Sequence, residues 1–98
     1  YPPYVQFIKL TTTGRDESRT IQMAEEMAVH LQSRFARLSE PVEIIGPFAA
    51  AVSKIGDQFR VHILLRGANL AAAKTILVES GIAVARDVTI DVDPLGML

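Results

Sequence analysis

The apolar side chains of this chain switch back and forth between two spacings, a period of two and a period of three to four, and that switching leaves few folds open to it. Residues 4–13, "YVQFIKLTTT", are rich in β-branched and aromatic types and stop at Gly14, which predicts a strand buried on much of both faces and central in its sheet. After "GRD", Ile21, Ala24, Ala28, Leu31 and Phe35 recur at three- and four-residue steps with Met27 beside them, while Glu25, Glu26, Gln32 and Arg34 turn away. That pattern is a long amphipathic helix, with Asp16 placed to cap its first turn. "SEPVEIIGP" predicts a short second strand over residues 42–45, ended by Gly46 and Pro47, because proline has no N–H to give a ladder. Residues 51–55 and 58–65 flank Gly56 and Asp57, a pair suited to a tight hairpin turn with positive φ at its first position. Behind the turn, Phe59, Val61, Ile63 and Leu65 form one row, expected inward, and Arg60, His62, Leu64 and Arg66 the other, mostly basic and expected outward. "GANLAAAKTILVESG" predicts a shorter helix with Asn69 as its cap, Ala73, Ile76 and Leu77 inward, and Gly81 at its stop. Period two then returns in "DVTIDVDP", with Val88, Ile90 and Val92 on one side and Thr89, Asp91 and Asp93 on the other, until Pro94 ends the pairing.

Strand, helix, strand, strand, helix, strand is the split βαβ, or ferredoxin-like, arrangement βαββαβ: an α+β fold with an antiparallel sheet and two helices on one face. Right-handed crossovers place the first strand between the third and the fourth. Ninety-eight residues, 49% of them hydrophobic, suffice for one core, so residues 1–98 read as a single domain. The start at Tyr1 and the extended "YPPY" lead-in suggest a piece of a larger protein.

Chemistry is mostly excluded. With no cysteine, the chain has no disulfide, no thiolate nucleophile and no cysteine-held zinc. His30 and His62 sit in neither an HExxH nor a GxSxG context, and no glycine-rich phosphate loop exists, so neither enzymatic activity nor a cofactor is expected in these residues. Both histidines are expected at the surface or its rim. No apolar run is long enough to span a bilayer, which points to a soluble, cytoplasmic protein with no membrane partner. Asp91 and Asp93 share a face, as a metal pair would, but no third ligand accompanies them; Lys9 on the neighbouring strand, with Arg60 and His62 one strand beyond, favours cross-strand charge pairing instead. The net charge of -1 means that any contact with nucleic acid must use a local patch. The face away from the helices supplies a candidate, combining Phe7 and Lys9 with Arg60, His62 and Arg66, an aromatic among cations of the kind on which unpaired bases stack. A packing surface for a neighbouring domain is the competing reading of that face. "GPFAAAVSK", small, apolar and bounded by Gly-Pro, reads as ordinary loop packing, with a docking groove for a peptide as the alternative.

Three stretches together resemble the carboxyl-terminal domain family of primosomal protein N′, the replication-restart helicase PriA. They are "YPPY" with its strand, "GRDE" and long helix; "GPFAAAVSKIGDQFRVHILLRG"; and the closing "DVDP". Gly46, Pro47, Ala49, Val52, Lys54, Phe59, Arg60, Leu64, Leu65 and Arg66 match the family's middle motif, and Asp91, Val92, Asp93 and Pro94 its last one. Ala50 or Ala51 stands where the family often has proline, and Gly56 and Asp57 stand where it often has Arg-Gly, which removes a positive charge from the hairpin tip. The resemblance implies a fold like that of a small ribosomal protein and a noncatalytic domain with no cofactor of its own. It implies a parent that is an ATP-dependent 3′–5′ DNA helicase, using ATP, magnesium and zinc through other domains. It also implies that this domain assists binding of forked or single-stranded DNA, of single-stranded DNA-binding protein and of the parent's other domains. Lys54, Arg60 and Arg66, with Lys9 and His62, are the expected contact residues. The rival readings are a small-molecule regulatory module of βαββαβ type, whose usual Asp-x-Pro-Gly-like turn "TTTGRDESR" lacks, and an oligomerisation domain.

Overall fold

The computed structural model describes residues 5–92. Its elements run β1 (Gln6–Gly14), α1 (Glu17–Phe35), β2 (Glu43–Ile55), β3 (Gln58–Gly67), α2 (Ala71–Glu79), a 3-10 turn (Ile82–Val84) and β4 (Val88–Val92). The four strands form one antiparallel sheet in the order β2-β3-β1-β4. This is the expected βαββαβ arrangement, and β1 lies inside the sheet between β3 and β4.

Period two in the strands sorts residues onto two faces. Ile8, Leu10 and Thr12 of β1 and Val61, Ile63 and Leu65 of β3 face the helices, where Ala24, Met27, Leu31 and Phe35 of α1 and Ala73, Ile76 and Leu77 of α2 close over them. Ile21, expected in that inner stripe, instead sits at its margin, 39% exposed. Asp16 caps α1 as its sequence position predicts, its carboxylate accepting from the Arg19 N–H at 3.0 Å. The Thr20 hydroxyl donates to the Asp16 carbonyl at 2.8 Å and stands so close to Gly14 that any side chain there would collide with it. Glycine is therefore required where β1 hands over to α1. The second helix starts one residue later than expected: Leu70 holds the cap position, Asn69 Oδ1 accepts from the Ala71 N–H at 2.9 Å, and Gln6 Oε1 from β1 accepts the Leu70 N–H at 2.8 Å. A side chain of the first strand thus satisfies a helix-end donor that would otherwise lack a partner.

The larger departure is β2. It does not stop at Ile45 but runs 13 residues to Ile55, absorbing Gly46 (φ 104°) and the cis-linked Pro47 through register shifts after Ile45 and after Ala49. An edge strand pairs on one side only, so a bulge carrying proline is tolerated there where a central strand would be broken. The turn at Gly56 has the expected positive φ, 61°. Since β1 ends opposite Phe59, the turn around Gly56 overhangs the sheet, and residues 51–58, exposed throughout and including the slipped stretch before Lys54, form the β2–β3 arm. Among the described residues no helix is long and apolar enough to cross a membrane.

Candidate functional site

Two surfaces stand out: the sheet face away from the helices, together with the arm that extends it, and a groove on the helix side. On the open face, register places Lys9 between Leu64 and Asp91, Arg66 between Phe7 and Glu43, and His62 between Thr11 and Phe48. Asp91 therefore faces Lys9 across the β1–β4 pair, the cross-strand arrangement expected of it. No group of three side chains fit to hold a metal occurs among the described residues. Asp93 and Pro94 of the closing motif, and "YPPY", lie outside the described residues.

His62 is not the outward-pointing, rim cation its strand position suggested. It is 1% exposed, its Nδ1 lies 2.9 Å from the Thr11 hydroxyl, and the Phe48 ring meets it edge-on, centroids 5.7 Å apart at 69°. Burial, then the charges of Lys9 and Arg60, push its pKa below the ordinary 6.5, so the ring is neutral at physiological pH. The physical cause is the first register shift of β2, which carries Phe48 alongside His62. Leu64, 7% exposed, is likewise covered, so this face has a small core of its own.

The cations do not form one patch. Arg66 makes an ion pair with Glu43, both side chains about half exposed. Arg60 Nη1 donates to the Val52 carbonyl across the arm at 2.9 Å. Lys54 pairs in register with Phe59 and places its Nζ 5.1 Å from that ring's centroid, so it projects from the opposite face of the arm to Arg60, one residue further on. Of the five expected residues, Lys54 is on the arm, Arg60 lies at its root opposite Thr13 of β1, Arg66 and Lys9 lie on the sheet with Glu43 and Asp91 opposite them, and His62 is interior.

The sequence pointed to one wall of a groove only: "GPFAAAVSK" offered a peptide-docking groove as the alternative to loop packing, and nothing there named α1 as the other wall. The groove lies between α1 and edge strand β2, in two hollows of about 160 and 610 Å³ that share Glu25 and Pro47. Its floor is Ile21, Ala28 and Val29 of α1 with Ile44, Pro47 and Phe48 of β2. The available signal was Val29, a branched apolar residue off the inner stripe of a helix, which the structure leaves 71% exposed.

The sheet order, the two helices on one face and the projecting arm define an α+β domain of the ferredoxin-like class, built to present surfaces rather than an enclosed site. Comparison with known families makes this specific. The chain belongs to the primosomal protein N C-terminal domain family, which matches residues 1–95 of its 98. That membership implies a role in primosomal replication restart. No curated protein matches the chain.

Proposed function

We propose that this chain is a noncatalytic accessory domain of a cytoplasmic replication-restart helicase, and that it helps the parent hold stalled or branched DNA. The parent's other domains supply the ATP, magnesium and zinc chemistry, and single-stranded DNA-binding protein is a further partner. The observation that carries the reading is the β2–β3 arm: residues 51–58 are exposed throughout and carry Lys54, while Arg60 stands at the root of the arm, opposite Thr13 of β1, on the other face. Asp57 offsets part of the charge at the tip, so Lys54 on the arm and Arg60 at its root are the two cations that can meet phosphates at a junction. Phosphate contacts position without reading sequence, so binding is selective for structure. With a net charge of -1 there is no general attraction to DNA, and affinity is modest and sensitive to salt. Two phosphate contacts correspond to a slope of roughly -1.4 in log K against log salt on single strands. Arg66 and Lys9, each beside a carboxylate, contribute less than the sequence alone suggested.

Fluorescence anisotropy of labelled forked DNA, titrated with the chain at low and moderate salt, tests this. Lys54→Ala and Arg60→Ala are expected to weaken binding severalfold and Arg66→Ala to leave it nearly unchanged. No binding at either salt would remove DNA contact from the domain's role. Titration against single-stranded DNA-binding protein tests that partner separately.

A further inference from the structure

We propose that the groove between α1 and β2 is a second docking site, and that it takes a segment of a partner protein in which apolar side chains alternate with lysine or arginine. Four observations carry this beyond the role of the arm. First, the floor is apolar and partly open to water: Val29 is 71% and Ile21 39% exposed, beside Ala28, Ile44, Pro47 and Phe48. Contiguous apolar surface of this kind with a polar rim is characteristic of interaction sites. Secondly, the rim is acidic. Glu17 and Glu25 line the groove, and neither makes a hydrogen bond or ion pair with any described residue, while Glu26 beside them accepts only from Gln22. The cation at its end, Arg60, already gives a donor to the Val52 carbonyl. Thirdly, the groove follows α1 from Glu17 to Gln32, about 22 Å at the helical rise, which is room for an extended segment of roughly six or seven residues.

Fourthly, the charge selects among occupants. A second copy docking here about a twofold axis would bring the acidic rim of one groove against that of the other, and like charges across an interface oppose association. Nucleic acid is opposed for the same reason. A segment alternating apolar with basic side chains would bury the first against Val29, Ala28 and Pro47 and place the second beside the free carboxylates. The groove and the arm therefore select partners of opposite charge from neighbouring parts of one domain.

A fluorescein-labelled peptide of alternating leucine and lysine, and its leucine–glutamate counterpart, are the probes, with the 98-residue chain labelled with nitrogen-15. The lysine peptide is expected to bind, with amide shifts confined to residues 17–32 and 44–48, and the glutamate peptide not to. The double variant Glu17→Lys, Glu25→Lys is expected to weaken the lysine peptide about tenfold, since both positions are exposed rim charges, and Val29→Asp to weaken it as well. Circular dichroism of both variants confirms the fold. Equal affinity for the two peptides, no binding, shifts centred on the open sheet face, an affinity untouched by charge reversal, dimerisation through the groove in sedimentation, or movement of these amides by forked DNA would each overturn the assignment.

Discussion

Acidification should destabilise this domain through His62, and the size of the effect has a ceiling set by the structure. The ring is 1% exposed, and burial with Lys9 and Arg60 near it holds its folded pKa below 6.5, the value it regains on unfolding. Between those two values the unfolded chain binds a proton that the folded chain refuses. Stability is therefore fully present above 6.5 and is lost as pH falls toward the folded pKa. A single proton gives a slope of at most about 1.4 kcal/mol per pH unit, so the fall from about pH 7.5 to about pH 5.5 costs at most about 1.4 kcal/mol. For a domain of this size that is up to roughly 10 °C in Tm. The comparison is urea unfolding of wild type and His62→Gln across that range; the amide can keep a hydrogen bond to Thr11 but does not titrate. Carboxylates and His30 are common to both proteins, so the difference between the two stability curves isolates His62. Parallel curves would refute the reasoning and would mean that protonated His62 is accommodated, by Thr11 as acceptor or by movement of Phe48.

Leu10, fully buried under α1 and α2, is expected to cost about 2–5 kcal/mol when truncated to alanine, read from the urea midpoint. Gln6→Ala leaves the Leu70 N–H without its acceptor, and a loss of about 1–3 kcal/mol is expected in the same assay. Gly14→Ala should destabilise by about 1–3 kcal/mol because the methyl meets the Thr20 hydroxyl, and Thr20→Ala in the same chain should return part of that loss. A double-mutant cycle on Glu43 and Arg66 is expected to give a coupling below about 1 kcal/mol, since both side chains are about half exposed.

The order of elements, the interior position of β1, the Asp16 cap and the Gly56 turn were legible because each rests on local spacing or on one residue's conformational habit. What failed to show was set by register between distant strands. Alternation in "FRVHILLR" states correctly that His62 and Arg60 share a face, but not that Phe48 lies over His62, because that depends on the number of residues β2 gains at Gly46 and Pro47. The same gains decide that Lys54 is opposite Phe59 and so on the other side of the arm from Arg60. Glu43 and Arg66 are 23 positions apart, and only the β2–β3 ladder makes them partners. Gly-Pro predicts a strand end because proline gives a ladder no N–H, but on edge strand β2, paired on one side only, a bulge absorbs the missing donor and the strand continues. The groove was half legible for a related reason: "GPFAAAVSK" supplies one wall, but the helix flank that completes it is unexceptional alone.

The first strand made is flanked by the last: Ile8 of β1 stands opposite Val92 of β4. Synthesis from the amino end therefore leaves one edge of β1 bare until residue 92 has emerged, with β3 already able to pair with its other edge and α1 to pack on its face. Completion of the sheet waits on the longest loop closure the chain contains, which slows folding and gives a nascent three-stranded intermediate an open edge to protect.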